Sequence, residues 1–112
     1  MPRYFITIPD SSKLASSGDF AFRSVGAGGL AEELQAALRG DALFQRWLAT
    51  QDDPDGVDPR LAATDPDASV SGEQDDLHID LVADTSINGE AFKQRMRLLA
   101  GSHWQLRDVT AA

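Results

Sequence analysis

Residues 76–84, DLHIDLVAD, constrain the fold more than any other stretch. Leu77, Ile79, Leu81 and Ala83 alternate strictly with His78, Asp80, Val82 and Asp84. Successive strand side chains point to opposite faces, so this pattern predicts a strand with one apolar face and one largely wet face. A strand of a parallel sheet covered on both sides would read as a continuous apolar run. The alternation therefore requires an antiparallel or mixed sheet with its helices on one side only.

The rest of the chain supplies partners for that strand. Residues 3–8, RYFITI, alternate with Tyr4, Ile6 and Ile8 on one side, and Pro9 and Asp10 stop them. Residues 10–18 read as a polar loop of turn-forming types. Residues 19–25, DFAFRSV, read as a second strand that offers Phe20 and Phe22 to the core. A helix follows the Gly26–Gly29 turn, with Leu30, Leu34, Ala37 and Leu38 on one side, Glu32 and Glu33 in its first turn and Gly40 at its end. Asp41 is placed to cap a second helix over 42–50, with Leu43, Phe44, Trp47 and Leu48 inward. Trp47 and Trp104 both read as core residues. A short strand over 69–74 would form a hairpin with 76–84. Asn88 caps a third helix over 89–100, with Phe92, Met96, Leu99 and Ala100 inward and Lys93, Gln94 and Arg97 outward. A last strand over 103–109 would run parallel to 76–84 as a βαβ crossover.

These elements predict a single α+β domain over 1–112. Its sheet has four or five mostly antiparallel strands, with about three helices on one face. The order is related to a ferredoxin-like plait, whose core is a split βαβ repeat; that comparison of architecture implies no function. Residues 51–68, QDDPDGVDPRLAATDPDA, are a long acidic loop expected to be mobile, because structureless loops of this length are uncommon inside compact domains.

Charge narrows the function classes. The chain has eighteen acids, ten bases and no cysteine. Absence of cysteine removes disulfides, thiolate metal sites and thiol nucleophiles. Ten acids fall within 51–80 against Arg60 alone, a local charge of −9, while the remainder sums to +1. Such a balance repels nucleic-acid phosphates and anionic membranes. No apolar run reaches membrane-spanning length and the N-terminus lacks a signal-peptide core, so a cytoplasmic location is expected. Arginine outnumbers lysine eight to two in an Ala-, Gly- and Asp-rich chain, which suggests a GC-rich bacterial gene.

Four features carry candidate chemistry. Gly26, Gly28 and Gly29 occupy the start of a dinucleotide fingerprint, but no strand follows promptly and Glu32 and Glu33 oppose a phosphate, so a strand-to-helix turn is preferred. Asp65, Asp67, Ser69, Glu73 and Asp76 fall at calcium-loop spacing with Val70 at the glycine position, so a solvated acidic loop is preferred over a metal site. His78 and Asp80 share the wet face of the strand, where a carboxylate could orient an imidazole as a general base. With Arg107 they are the candidates for a small-ligand site. No nucleophile accompanies them in any recognisable motif, and no cofactor is implied.

The expected function is accordingly a non-enzymatic interaction or regulatory module. Asp52, Asp53, Asp55, Asp58, Asp65 and Asp67 would present an acidic surface to a basic protein partner. Unpaired sheet edges would also favour a homodimer. Two alternatives stand beside it: a small-ligand protein or minor enzyme with a site near His78, and cation binding by residues 52–76.

Overall fold

The computed structural model describes residues 1–111. The fold is α+β, a four-stranded antiparallel sheet with three α-helices. Strand β1 is Pro2–Ile8, β2 is Ser69–Asp75, β3 is His78–Asp84 and β4 is Gln105–Ala111. The helices are α1, Ala27–Arg39, α2, Ala42–Leu48, and α3, Gly89–Ala100. The sheet order is β2-β3-β1-β4. β3 and β4 are both antiparallel to β1 and hence parallel to each other, as expected. They are not neighbours, however: β1 lies between them.

One apolar cluster joins the inner sheet face to the helices. Tyr4, Ile6 and Ile8 from β1 and Ile79, Leu81 and Ala83 from β3 meet Leu30, Leu34 and Leu38 of α1 and Phe92, Met96 and Leu99 of α3. Each such aliphatic or aromatic side chain contributes roughly 1.5–3 kcal/mol on burial. Tyr4 stacks on Phe92 at 4.1 Å and donates its hydroxyl to the Ile87 carbonyl at 2.9 Å, so its polar end is satisfied within the core. Gly72 marks a close approach of α1 to β2: a Cβ there would stand 2.9 Å from the Ala27 carbonyl oxygen. Asn88 caps α3 as expected, accepting from the Ala91 N–H at 2.9 Å.

Several expectations are corrected. Residues 19–25 form no strand. They run as a strap across the helix layer, because the carboxylate of Glu33 takes the N–H groups of Arg23 and Ser24, both at 2.9 Å, and the Leu99 carbonyl takes that of Phe22. With its donors satisfied by helices, the strap gains nothing from a sheet. Helix α1 starts at Ala27, so Glu32 and Glu33 lie beyond its first turn. Asp41 makes no capping bond to α2. Residues 11–16 form a 3-10 helix rather than a loop, capped by Asp10 through the Ser12 N–H. The hairpin turn falls at Asp76 and Leu77, within the span expected to be strand; Asp76 takes the left-handed conformation, and Leu77 is 45% exposed instead of joining the core. Gln94, expected outward on α3, is buried together with Arg95. Trp47 and Trp104 are only half-buried.

The acidic segment does not behave as one detached loop. It contains two 3-10 turns, Pro54–Gly56 and Pro59–Ala62, and its second half is bound to the body. Asp65 is 5% exposed. Its carboxylate accepts from the Thr85 hydroxyl and the Ser86 N–H, each at 2.9 Å, and from the Asp67 N–H at 3.0 Å. Arg95, fully buried, donates to the carbonyls of Leu61, Ala63 and Ala37. Among the described residues no helix is long and apolar enough to cross a membrane.

Candidate functional site

The outer sheet face, which the helices leave uncovered, carries the polar side of every alternating strand. The register sets Glu73 opposite Asp80, Thr7 opposite Asp80 on the other side, Phe5 opposite Val82 and Arg3 opposite Asp84. Phe5 and Val82 form a half-buried apolar spot at the centre. Around it lies a shallow depression of about 450 Å3, lined by Phe5, Thr7, Asp80, Val82, Arg107 and Asp108 among others.

A bulge creates that lining. The β1–β4 register shifts at Phe5 and Ile6, pairing Phe5 with Asp108 and Ile6 with Leu106, so Arg107 has no partner of its own. An extra residue re-aims the side chains that flank it. Here it keeps Leu106 against the core and frees Arg107 for the outer face, where its guanidinium donates to the Thr7 hydroxyl oxygen at 3.2 Å. The Thr7 hydroxyl in turn donates to Asp80 at 2.7 Å, and His78 Nε2 stands 3.1 Å from the same carboxylate oxygen. A hydrogen-bonded row Arg107–Thr7–Asp80–His78 thus crosses three strands.

The row holds the Asp80 carboxyl below the usual aspartate range. The Thr7 hydroxyl is the largest cause, burial opposes it, and His78 and then Arg107 add to the lowering. Hydrogen bonds to the charged form favour that form. The side chains of His78 and Asp80 are 44% and 54% exposed, so solvent screens the pair. What the arrangement can do is hold an oriented carboxylate ready to accept from a cation or a hydrogen-bond donor. Among the described residues no serine or threonine hydroxyl bonds to the His78 ring.

Other candidates are dispersed. Gly26 is the cap residue of α1, and the first helical N–H, that of Ala27, is taken by Gln74 Oε1 at 3.1 Å. Gly29 packs so closely on Ser24 that a Cβ would lie 2.5 Å from the serine side chain. α1 is followed by α2, so no βαβ nucleotide unit forms. Gly29 thus belongs to a closely packed turn, whereas Gly28 is exposed with open space beside it. The calcium-loop spacing fails for a different reason: Ser69–Asp75 is an extended strand, which draws the acids apart by roughly 3.3 Å per residue. No group of three His, Asp or Glu side chains among the described residues is placed to hold a metal ion.

Of the acidic-surface candidates, Asp52, Asp53, Asp55 and Asp67 are exposed. Asp58 is half-buried and paired with Arg60 at 2.8 Å. Asp65 is withdrawn from any surface. The belt is also split in space, since β2 separates the 52–67 acids from Asp75 and Asp76 by its own length of roughly 20 Å. Two residues that organise the molecule had not been singled out as candidates. Thr7 could have been found only once its register opposite Asp80 was known. Arg95 had a signal: it stands three residues after Phe92 and four before Leu99, on the apolar stripe of α3.

Comparison with known proteins finds no matching family model, no matching curated protein and no matching solved structure.

Proposed function

We propose that this protein is a non-enzymatic interaction module whose uncovered sheet face docks a basic segment of a protein partner. The register between β2 and β3 carries the reading. Glu73 and Asp80 stand directly opposite each other, and Asp75 follows on the same face beside His78. Like charges facing across adjacent strands destabilise a sheet, and a partner's arginine or lysine would relieve the repulsion. Five acids on this face (Glu73, Asp75, Asp80, Asp84 and Asp108) outnumber Arg3 and Arg107. The apolar spot at Phe5 and Val82 gives such a partner something to bury, and the exposed acids at 52–55 would steer its approach.

An NMR titration with a Lys/Arg-rich peptide tests this. Shifts should gather on β2, β3 and the Phe5–Val82 spot, and affinity should fall steeply with salt. Glu73→Gln with Asp80→Asn should weaken binding by about tenfold, the worth of one or two charge-assisted contacts. Shifts scattered over the whole surface, or affinity indifferent to those substitutions, would sink the proposal.

A second reading is favoured by the depression beside Arg107. There Arg107 and the oriented Asp80 carboxylate could bind opposite ends of a small zwitterionic ligand. Arg107→Gln separates the two readings, because it should abolish small-ligand binding and strengthen a basic peptide.

A further inference from the structure

On the opposite side of the sheet, a cleft of about 260 Å3 lies between the 19–25 strap, α1 and α2. We infer that it is a binding site for a small monoanionic amphiphile, of the size and chemistry of an aromatic carboxylate. The inference does not rest on the docking face described above.

The cleft has an apolar body. Ala37, Leu43 and Leu99, all buried, line it beneath Phe20 of the strap. Its rim carries two arginines. Arg23 and Arg46 both line it, and neither forms an ion pair among the described residues. By contrast, Arg3 and Arg60 pair with carboxylates, Arg39 and Arg95 with carbonyls and Arg107 with a hydroxyl, while Arg97 lies exposed outside the cleft. Arg46 stands over the Phe20 ring, 5.4 Å from its centre, which places the guanidinium at the mouth above an aromatic wall.

Two carboxylates also line the cleft, and they differ. Both oxygens of Glu33 accept from the strap's N–H groups, which tie its carboxylate to the wall while its charge remains. With Asp19 the lining sums to zero, so a dianion such as phosphate is disfavoured, and a single negative charge is held only where it meets the two guanidinium groups and stands clear of the carboxylates. Guanidinium forks match a carboxylate in geometry, and at about 30 Å3 per water-sized group the cleft holds roughly nine heavy atoms. Benzoate has that size.

The test is a titration of the intact protein with benzoate, read by NMR and calorimetry. For a ligand this small the expected dissociation constant is about 1 mM. Saturable shifts should gather at Asp19–Arg23, Ala36–Arg46 and Leu99. Benzyl alcohol, which lacks the charge, should bind at least about tenfold more weakly. Arg23→Gln and Arg46→Gln should each weaken benzoate several-fold with unchanged melting temperature, whereas Arg97→Gln, on an exposed residue outside the cleft, should not. Absence of saturation by about 20 mM, equal binding of the alcohol, or indifference to both cleft substitutions would each overturn the assignment.

Discussion

The two halves of the segment between α2 and β2 share a composition and have opposite fates. Residues 52–58 carry Asp52, Asp53, Asp55 and Asp58 and lie toward the surface, where Asp53 accepts from the N–H of its own turn and Asp58 accepts from Arg60. Residues 60–68 carry Asp65 and Asp67 and are locked to the body. What separates them is the supply of partners. The second half passes the β3–α3 connection, where Thr85 and Ser86 offer a hydroxyl and an N–H, and passes Arg95, which offers a fork of donors to carbonyls. A buried carboxylate is tolerated where the charged form is fully hydrogen-bonded, and Asp65 is. Aspartate density therefore says little about exposure.

The comparison can be broken most severely at Arg95. Arg95→Ala leaves the Ala37, Leu61 and Ala63 carbonyls without this donor and opens a cavity beside Phe44, whose ring the guanidinium faces at 5.4 Å. A loss of about 3 kcal/mol or more in chemical denaturation is expected, with residues 61–68 the first to lose hydrogen-exchange protection. A loss under about 1 kcal/mol would mean that water replaces the guanidinium at no great cost, and that the two halves are equally loose.

Asp65 sharpens the contrast through pH. The Ser86 N–H, first, and then the Asp67 N–H and Thr85 hydroxyl hold its carboxyl below the usual aspartate range against the opposing effect of burial. A depressed native pKa adds stability above the unfolded value, near pH 4, and that stability drains away as pH falls through the native value. Asp65→Asn should cost about 1–3 kcal/mol at pH 7. The gap from the parent protein should begin to narrow as pH falls through the unfolded value near 4, and it should go on narrowing until pH has passed the lower native value, where the folded carboxyl takes up its proton. A gap that stays constant across that range would show that packing, and not charge, anchors the residue.

The smallest effect on stability belongs to the first half. Asp52→Asn, Asp53→Asn and Asp55→Asn together change the net charge from −8 to −5. They should shift the melting temperature by no more than about 2 °C, as surface substitutions do. They should slow association with a basic peptide, while leaving the contacts made on the sheet face intact.

The sheet shows the same division between what a linear pattern conveys and what it cannot. Alternation in RYFITI and DLHIDLVAD depends on each residue's own neighbours, so the inner and outer faces of β1 and β3 are legible directly. The strap is a counterexample: DFAFRSV has strand-like side chains, yet Glu33, ten residues after Arg23, supplies the backbone partners a sheet would have provided. For the candidate site, His78 and Asp80 could be placed together because both lie on one strand. Thr7 and Arg107 could not, since they reach Asp80 through a register and a bulge.

Local preferences of this chain determined its helices, its two central strands, the cap at Asn88, and the fact that one sheet face is wet. Those follow from periodicity and capping chemistry, which act over a few residues. Only tertiary structure decided that Glu73 faces Asp80, that Asp65 and Arg95 are buried, and that Arg23 and Arg46 share a cleft. Each of these is a meeting of residues distant in sequence, and its energy comes from desolvation and hydrogen bonding that do not exist until the elements pack.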